Sequence, residues 1–184
     1  MRITDFESAR HCRSTRLRDL TEVCRVLYSR DFMDVYHRLR DRARQLFDDN
    51  PTIHCPYFAE RIVLNGEGLH HLRYSAERER GKSEQMLKFR LLPLALDVIR
   101  KSGTVQEYRR IWQAIGKPRS DGMRAAKEVE YWGLVAIIGA RPDKIRVILR
   151  RVGTGNITFW SVMRGSKILP DGRQRLAPEN LEVD

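Results

Sequence analysis

Near the C-terminal end of the chain, Ile145, Val147 and Leu149 alternate with Lys144, Arg146 and Arg150. Side chains leave a strand on opposite faces with period two, so this run predicts a strand carrying arginines on one face. Gly153, Gly155 and Asn156 follow, residue types that tolerate positive φ, and then Ile157 to Met163, a second run of strand character. Together they predict an antiparallel hairpin. With Val152 opposite Ile157, Val147 faces Val162 and Leu149 faces Trp160 on the core side. On the other side Arg146 pairs with Met163, Ile148 with Ser161, and Arg150 with Phe159.

Helical periodicity governs the N-terminal part. Leu17, Leu20, Val23, Cys24 and Leu27 recur at three- and four-residue steps and mark one face of a helix over 16–30. A second helix follows, with Asp31 as a cap, Phe32, Val35, Leu39, Ala43 and Leu46 as its stripe, and Asp48-Asp49-Asn50-Pro51 as its stop. Arg38, Arg40, Arg42 and Arg44 point largely elsewhere, as a solvated face or as contacts to phosphate.

Shorter elements come next. Arg61 to Leu64 predicts a strand, Asn65-Gly66-Glu67-Gly68 a turn, and Leu69 to Tyr74 a second extended segment. Ser83 to Lys101 predicts a helix with a kink or restart near Leu92, because Pro93 lacks an amide donor. Thr104 to Glu107 has the form of a capping box, which predicts a further helix to Ile115, ended by Gly116 and Pro118. Tyr131 to Ile138 is apolar on both faces and suits a central strand. The expected architecture is α+β: an N-terminal helical pair (1–50), a small antiparallel β-sheet packed against helices (51–164), and a loosely ordered tail (165–184).

Charge narrows the function. The 184-residue chain carries a formal net charge of +11, and such an excess calls for an anionic partner, nucleic acid before membrane. No apolar run approaches the ~18 residues that span a bilayer, and the charged N-terminus lacks the core of a signal peptide, so the expected location is cytoplasmic. Cys12, Cys24 and Cys55 form no even set and no CxxC. Reduced core thiols are the default reading, with a zinc site built on His11-Cys12, Cys24 and His54-Cys55 as the minor one. Walker, dinucleotide-loop, HExxH and GxSxG signatures are missing, and no dense acidic cluster suggests two-metal hydrolysis. No cofactor or metal is expected.

Candidate chemistry centres on the adjacent histidines. Imidazole titrates near neutrality and can take a proton from a ribose hydroxyl or return one to a leaving oxygen. In an extended segment His71 shares a face with Arg73 and Ser75, which makes it the stronger candidate, although His70 stays open. With Arg73, Arg146, Arg150 and Ser161 it supplies a proton carrier and cations to stabilise a phosphorane-like transition state, provided the two β regions share one sheet. Phe159 is placed to stack a base.

The order of elements, with a histidine strand, a helix and closing strands Lys144-Ile145-Arg146-Val147-Ile148-Leu149 and Ile157-Thr158-Phe159-Trp160-Ser161-Val162, resembles the Barnase, EndoU, colicin and RelE-like nuclease superfamily, in particular its phage- and mobile-element-associated branches. The similarity covers Tyr57 to Arg164. It implies a metal-independent RNA endonuclease, a toxin or effector that leaves a cyclic phosphate, with His70 or His71 and Arg73 from the early strand and Thr158 or Ser161 with Arg146 and Arg150 from the closing strands. An inhibitory or assembly protein partner fits the same picture. The alternative is a non-catalytic nucleic-acid-binding module, such as a ribonucleoprotein or mobile-element accessory protein. A helix-turn-helix DNA binder is a further alternative, with helices over 83–101 and 104–115 and Arg109, Arg110, Lys117 and Arg119 along the backbone. RNA is favoured over DNA.

Overall fold

In the computed structural model, residues 30–118, 120, 122–138 and 143–165 are described. The expected helix over 16–30, the cysteines at positions 12 and 24, and the C-terminal tail lie outside them. The chain divides into two compact units, Met1–Leu39 and Arg40–Asp184. In the first, the described residues are helical, and the rings of Tyr36 and His37 meet edge-on at 5.4 Å.

Helix α1 takes in residues 30–49, of which 40–49 belong to the second unit. It stops where the sequence says it should: the Asn50 amide donates to the Leu46 carbonyl at 3.0 Å, and Pro51 cannot continue the ladder. Two short strands follow, β1 (Thr52–Cys55) and β2 (Glu60–Val63), then α2 (Gly66–Arg73), α3 (Lys82–Lys101), β3 (Glu107–Ala114), β4 (Ala126–Ile138), β5 (Asp143–Val152) and β6 (Thr158–Arg164). The six strands form one sheet in the order β1-β2-β6-β5-β4-β3. All neighbours are antiparallel except β2 and β6, which run parallel. The class is thus α+β, but the sheet is mixed and larger than the expected antiparallel one. The parallel pair arises because the β1–β2 hairpin docks on the edge of β6, where the Val63 amide donates to the Ile157 carbonyl at 2.9 Å.

Helix α3 lies against β1, β4, β5 and β6. Its buried Phe89, Leu92, Leu96 and Ile99 make the helical side of a core to which Ile53, Ile62, Val147, Leu149, Phe159 and Val162 belong. Pro93 sits inside α3 without dividing it into two elements. Burial pushes the Cys55 thiol up from its ordinary value, so it stays protonated and unreactive. On the opposite face of the sheet Val129, Tyr131 and Ile148 are buried, with Ile111, Ile115, Val152, Trp160 and Met163 packed against them.

Three expectations are corrected. Residues 66–73 are helical, not a turn and a strand: the Asn65 side chain accepts from the Gly68 amide at 3.1 Å and so caps a helix where the glycines suggested a reversal. Glu107–Ala114 is an edge strand rather than a helix, because its amides find a full antiparallel partner in β4. The capping box is not used: Thr104 Oγ1 accepts from the Gln106 amide instead, and Glu107 turns to Arg146. Loss of that helix removes the helix-turn-helix reading. Finally, β5 and β6 pair as expected through Arg146–Met163, Val147–Val162 and Ile148–Ser161, after which a bulge shifts the register to Leu149–Phe159 and Arg150–Thr158.

Ion pairs and hydrogen bonds cross the strands at the β3 end of the sheet. Tyr108 donates to Glu130 at 2.7 Å, Arg151 Nε donates to the other oxygen of Glu130 at 2.8 Å, and Arg110 pairs with Glu128. Burial works to raise the Glu130 carboxyl, yet the hydrogen bonds from Tyr108 and Arg151 and the neighbouring charges outweigh it and hold it below the ordinary carboxylate value.

Two consequences can be measured. A group depressed in the folded state stabilises the fold above its unfolded pKa of about 4.3, and that contribution is lost as pH falls through the folded value. Glu130→Gln should therefore flatten the acid limb of stability against pH, read by urea unfolding at several pH values. Gly68 lies so close to β6 that a Cβ would strike the Phe159 carbonyl, whereas a Cβ on Gly66 meets nothing within 4 Å. Gly68→Ala should cost about 1–3 kcal/mol by overpacking, with Gly66→Ala near neutral in the same denaturation series.

Candidate functional site

The close approach of α2 to β6 brings two regions distant in sequence into one site. His71 comes from the last turn of α2 and Trp160 from the bulge in β6, and their rings stack at 4.2 Å with an interplanar angle of 22°. The Arg150 guanidinium lies over the same indole, 4.1 Å from its centroid. Arg150 is 8% exposed and His71 6%. Imidazole, indole and guanidinium are thus held by mutual packing. The position of His71 is also fixed from behind, since Arg80 Nε donates to the His71 carbonyl at 3.4 Å and Arg80 Nη1 to Glu84 at 2.6 Å.

This cluster forms part of the wall of a cavity of about 650 Å³, which Glu67, His70, Lys127, Asn156 and Thr158 also line. Arg150 Nε and Trp160 Nε1 are buried donors with no hydrogen-bond partner among the described residues. Both residues line the cavity. The Thr158 hydroxyl donates to the Arg150 carbonyl at 3.0 Å and keeps its lone pairs for accepting. His70, on the exposed side of α2, stacks on Tyr74 one turn later at 4.3 Å and 11°.

The sequence candidates are distributed unevenly over this geometry. His70, His71, Arg150 and Thr158 line the cavity. Arg73 lies in an adjoining groove with Arg40, Asp41, Arg44, Gly66, Leu69 and His70. Arg146 lines neither. Four residues at about 3.3 Å separate it from Arg150, roughly 13 Å along β5, and its guanidinium is paired with Glu107, Nε donating at 2.7 Å. Glu107 reaches it by crossing Gly133, where any side chain would be in the way. Phe159 is fully buried, pairs with Leu149 and packs edge-on against Phe47 at 5.7 Å, so it is a core residue and offers no face to a base. Ser161 is fully buried too, and Lys88 Nζ donates to its hydroxyl at 3.0 Å and to the Val162 carbonyl at 3.2 Å.

Among the lining residues that the sequence did not single out are Glu67, Lys127, Asn156 and Trp160. For Glu67 a signal existed, since it stands three and four residues before the two histidines and joins their face once 66–73 is read as a helix. Trp160 carried none, because the bulge that turns it away from the core has no sequence mark in this hairpin.

Among the described residues no group of three or more His, Cys, Asp or Glu side chains is arranged to hold a metal ion, and no helix is long and apolar enough to cross a membrane. No family model, curated protein or solved structure matches the chain.

The buried Lys88–Ser161 contact separates a structural from a functional serine. Ser161→Ala should lower stability by about 1–3 kcal/mol, because a buried ammonium loses an acceptor. The loss is read in a urea-unfolding series against the unmodified chain.

Proposed function

We propose that the chain is an RNA endonuclease that cleaves by metal-independent transesterification in the cavity between α2 and β6. The observation that carries this reading is the shared indole: Trp160 holds the His71 imidazole and the Arg150 guanidinium together at the wall of a cavity that also takes in His70 and Lys127. Proton carriers and fixed cations around one space are what phosphoryl transfer from a ribose hydroxyl requires. The excess positive charge of the chain favours a polyanionic substrate, and the resemblance to Barnase, EndoU and RelE-like nucleases points the same way.

In the proposed reaction a proton carrier drawn from His70, His71 and Glu67 takes the proton of a 2′-hydroxyl. The freed oxygen forms a bond to phosphorus while the bond from phosphorus to the 5′-oxygen breaks. A second member of that set returns a proton to the departing 5′-oxygen, and a 2′,3′-cyclic phosphate remains. Arg150 and Lys127 balance the negative charge that accumulates on the non-bridging oxygens, and the apolar indole keeps water from screening it. Arg146 has no part in this scheme, as Glu107 occupies it.

A binding module without turnover is the second reading, favoured by the low exposure of His71, which suits a packing role. Incubation of the full chain with total RNA in excess chelator distinguishes the two. Fragments ending in cyclic phosphate are expected, with His71→Ala and Arg150→Ala each lowering turnover by about 100-fold or more while RNA still binds. Cleavage that requires a divalent metal, or none under any condition, overturns the nuclease reading.

A further inference from the structure

Gly66 and His70 line a second space besides the cavity between α2 and β6. This groove of about 420 Å³ is lined further by Arg40, Asp41, Arg44, Leu69 and Arg73. Its charge is unevenly compensated. Asp41 is engaged by Arg40, which donates to one carboxylate oxygen through Nε at 2.9 Å and Nη2 at 2.8 Å. Arg44 and Arg73 have no carboxylate within ion-pair distance among the described residues. Arg73 Nε is also buried without a hydrogen-bond partner, and the Arg73 guanidinium sits 5.3 Å from the Tyr74 ring, on which His70 stacks in turn. Arg40 and Arg44, one helical turn apart, present their side chains to the same side of α1.

We propose that this groove is a second phosphate subsite, which takes a neighbouring backbone phosphate of the strand whose scissile phosphate occupies the first cavity. The inference rests on the RNA reading above and extends it from a single phosphate to the path of the strand, which passes over Gly66 and His70. Arg44 and Arg73 are the phosphate contacts. A glycine at position 66 leaves the ridge between the cavities low, since no side chain projects there. His70, lining both spaces, marks the junction between the phosphate that reacts and the one that anchors. Cleavage by this chain should consequently favour substrates extended on that side of the scissile bond over dinucleotides.

The test uses the full chain and 2′-O-methyl oligonucleotides, which bind but cannot form the cyclic phosphate, so binding is read apart from turnover. A dinucleotide and an octanucleotide are titrated by fluorescence anisotropy over a salt series, with circular dichroism melts confirming that each variant is folded. Arg44→Ala is expected to weaken the octanucleotide about tenfold and to lower the steepness of its log–log salt dependence by about 0.7, the share of one single-strand phosphate. Dinucleotide affinity should not change. Arg73→Ala should act on the octanucleotide in the same way, and Arg44→Lys should restore most of the salt slope because the charge returns. Equal weakening of both lengths by Arg44→Ala, or an octanucleotide titration that Arg44→Ala and Arg73→Ala leave unmoved, overturns the subsite. If Arg150→Ala weakens both lengths while Arg44→Ala changes neither, the subsite fails and the first cavity stands. If the Arg44→Ala pattern appears and no RNA is ever cleaved, the subsite stands and catalysis fails.

Discussion

One residue too many in β6 decides where the candidate groups lie. Up to Ile148 and Ser161 the closing hairpin is regular, and beyond them the bulge advances the pairing so that Leu149 meets Phe159. Both are fully buried, so the core gains an aromatic ring from position 159. Trp160, left without a partner across the ladder, joins Arg150 and the Ile148 cluster on the other face. A regular hairpin would have sent the indole into the core and left Arg150 beside Phe159. Bulges re-aim side chains in this way, and here the re-aimed indole is what His71 and Arg150 pack on.

The second constraint is the distance between α2 and β6. Gly68 permits backbone contact with the Phe159 carbonyl, and that closeness lets the His71 ring reach Trp160 from a helix of eight residues. Asn65 starts this helix and Arg80 holds the His71 carbonyl near its end, so the imidazole is placed by backbone as well as by stacking. The site is therefore built by one short helix clasped to one irregular strand, and α3 supports the strand from the opposite side through Lys88.

Charge is sorted by the same sheet. Arg146, Arg110 and Arg151 each face a carboxylate across neighbouring strands, which consumes much of the basic character that the sequence displays in β3 and β5. Arg150, two pleats from Arg146, has no carboxylate of this kind and faces the indole instead. The net charge of +11 is thus a poor guide to where an anion would settle. Lining a cavity without an acid partner among the described residues is the more telling combination, and Arg150, Lys127, Arg73 and Arg44 meet it.

Much of the frame was legible in the chain. The end of α1 at Asn50, a strand expected at 61–64 and found at 60–63, a helix expected at 83–101 and found at 82–101 without the restart that Pro93 suggested, a strand expected at 131–138 within the longer 126–138, and the first half of the closing register follow from local rules of periodicity and turn chemistry. The histidine pair and Arg150, candidates on the sequence, line one cavity in the fold. What local rules misjudged were segments whose backbone could satisfy its hydrogen bonds in two ways. Glu107–Ala114 has a capping signal yet pairs with β4, and 66–73 has two glycines yet forms a capped helix. Sequence alone determined the alternation that makes β5 a strand with arginines at 146 and 150. Only the tertiary structure decided that one of them meets Glu107 and the other an indole, because hydrogen-bond pairing across the sheet and the position of a bulge depend on residues far apart in the chain.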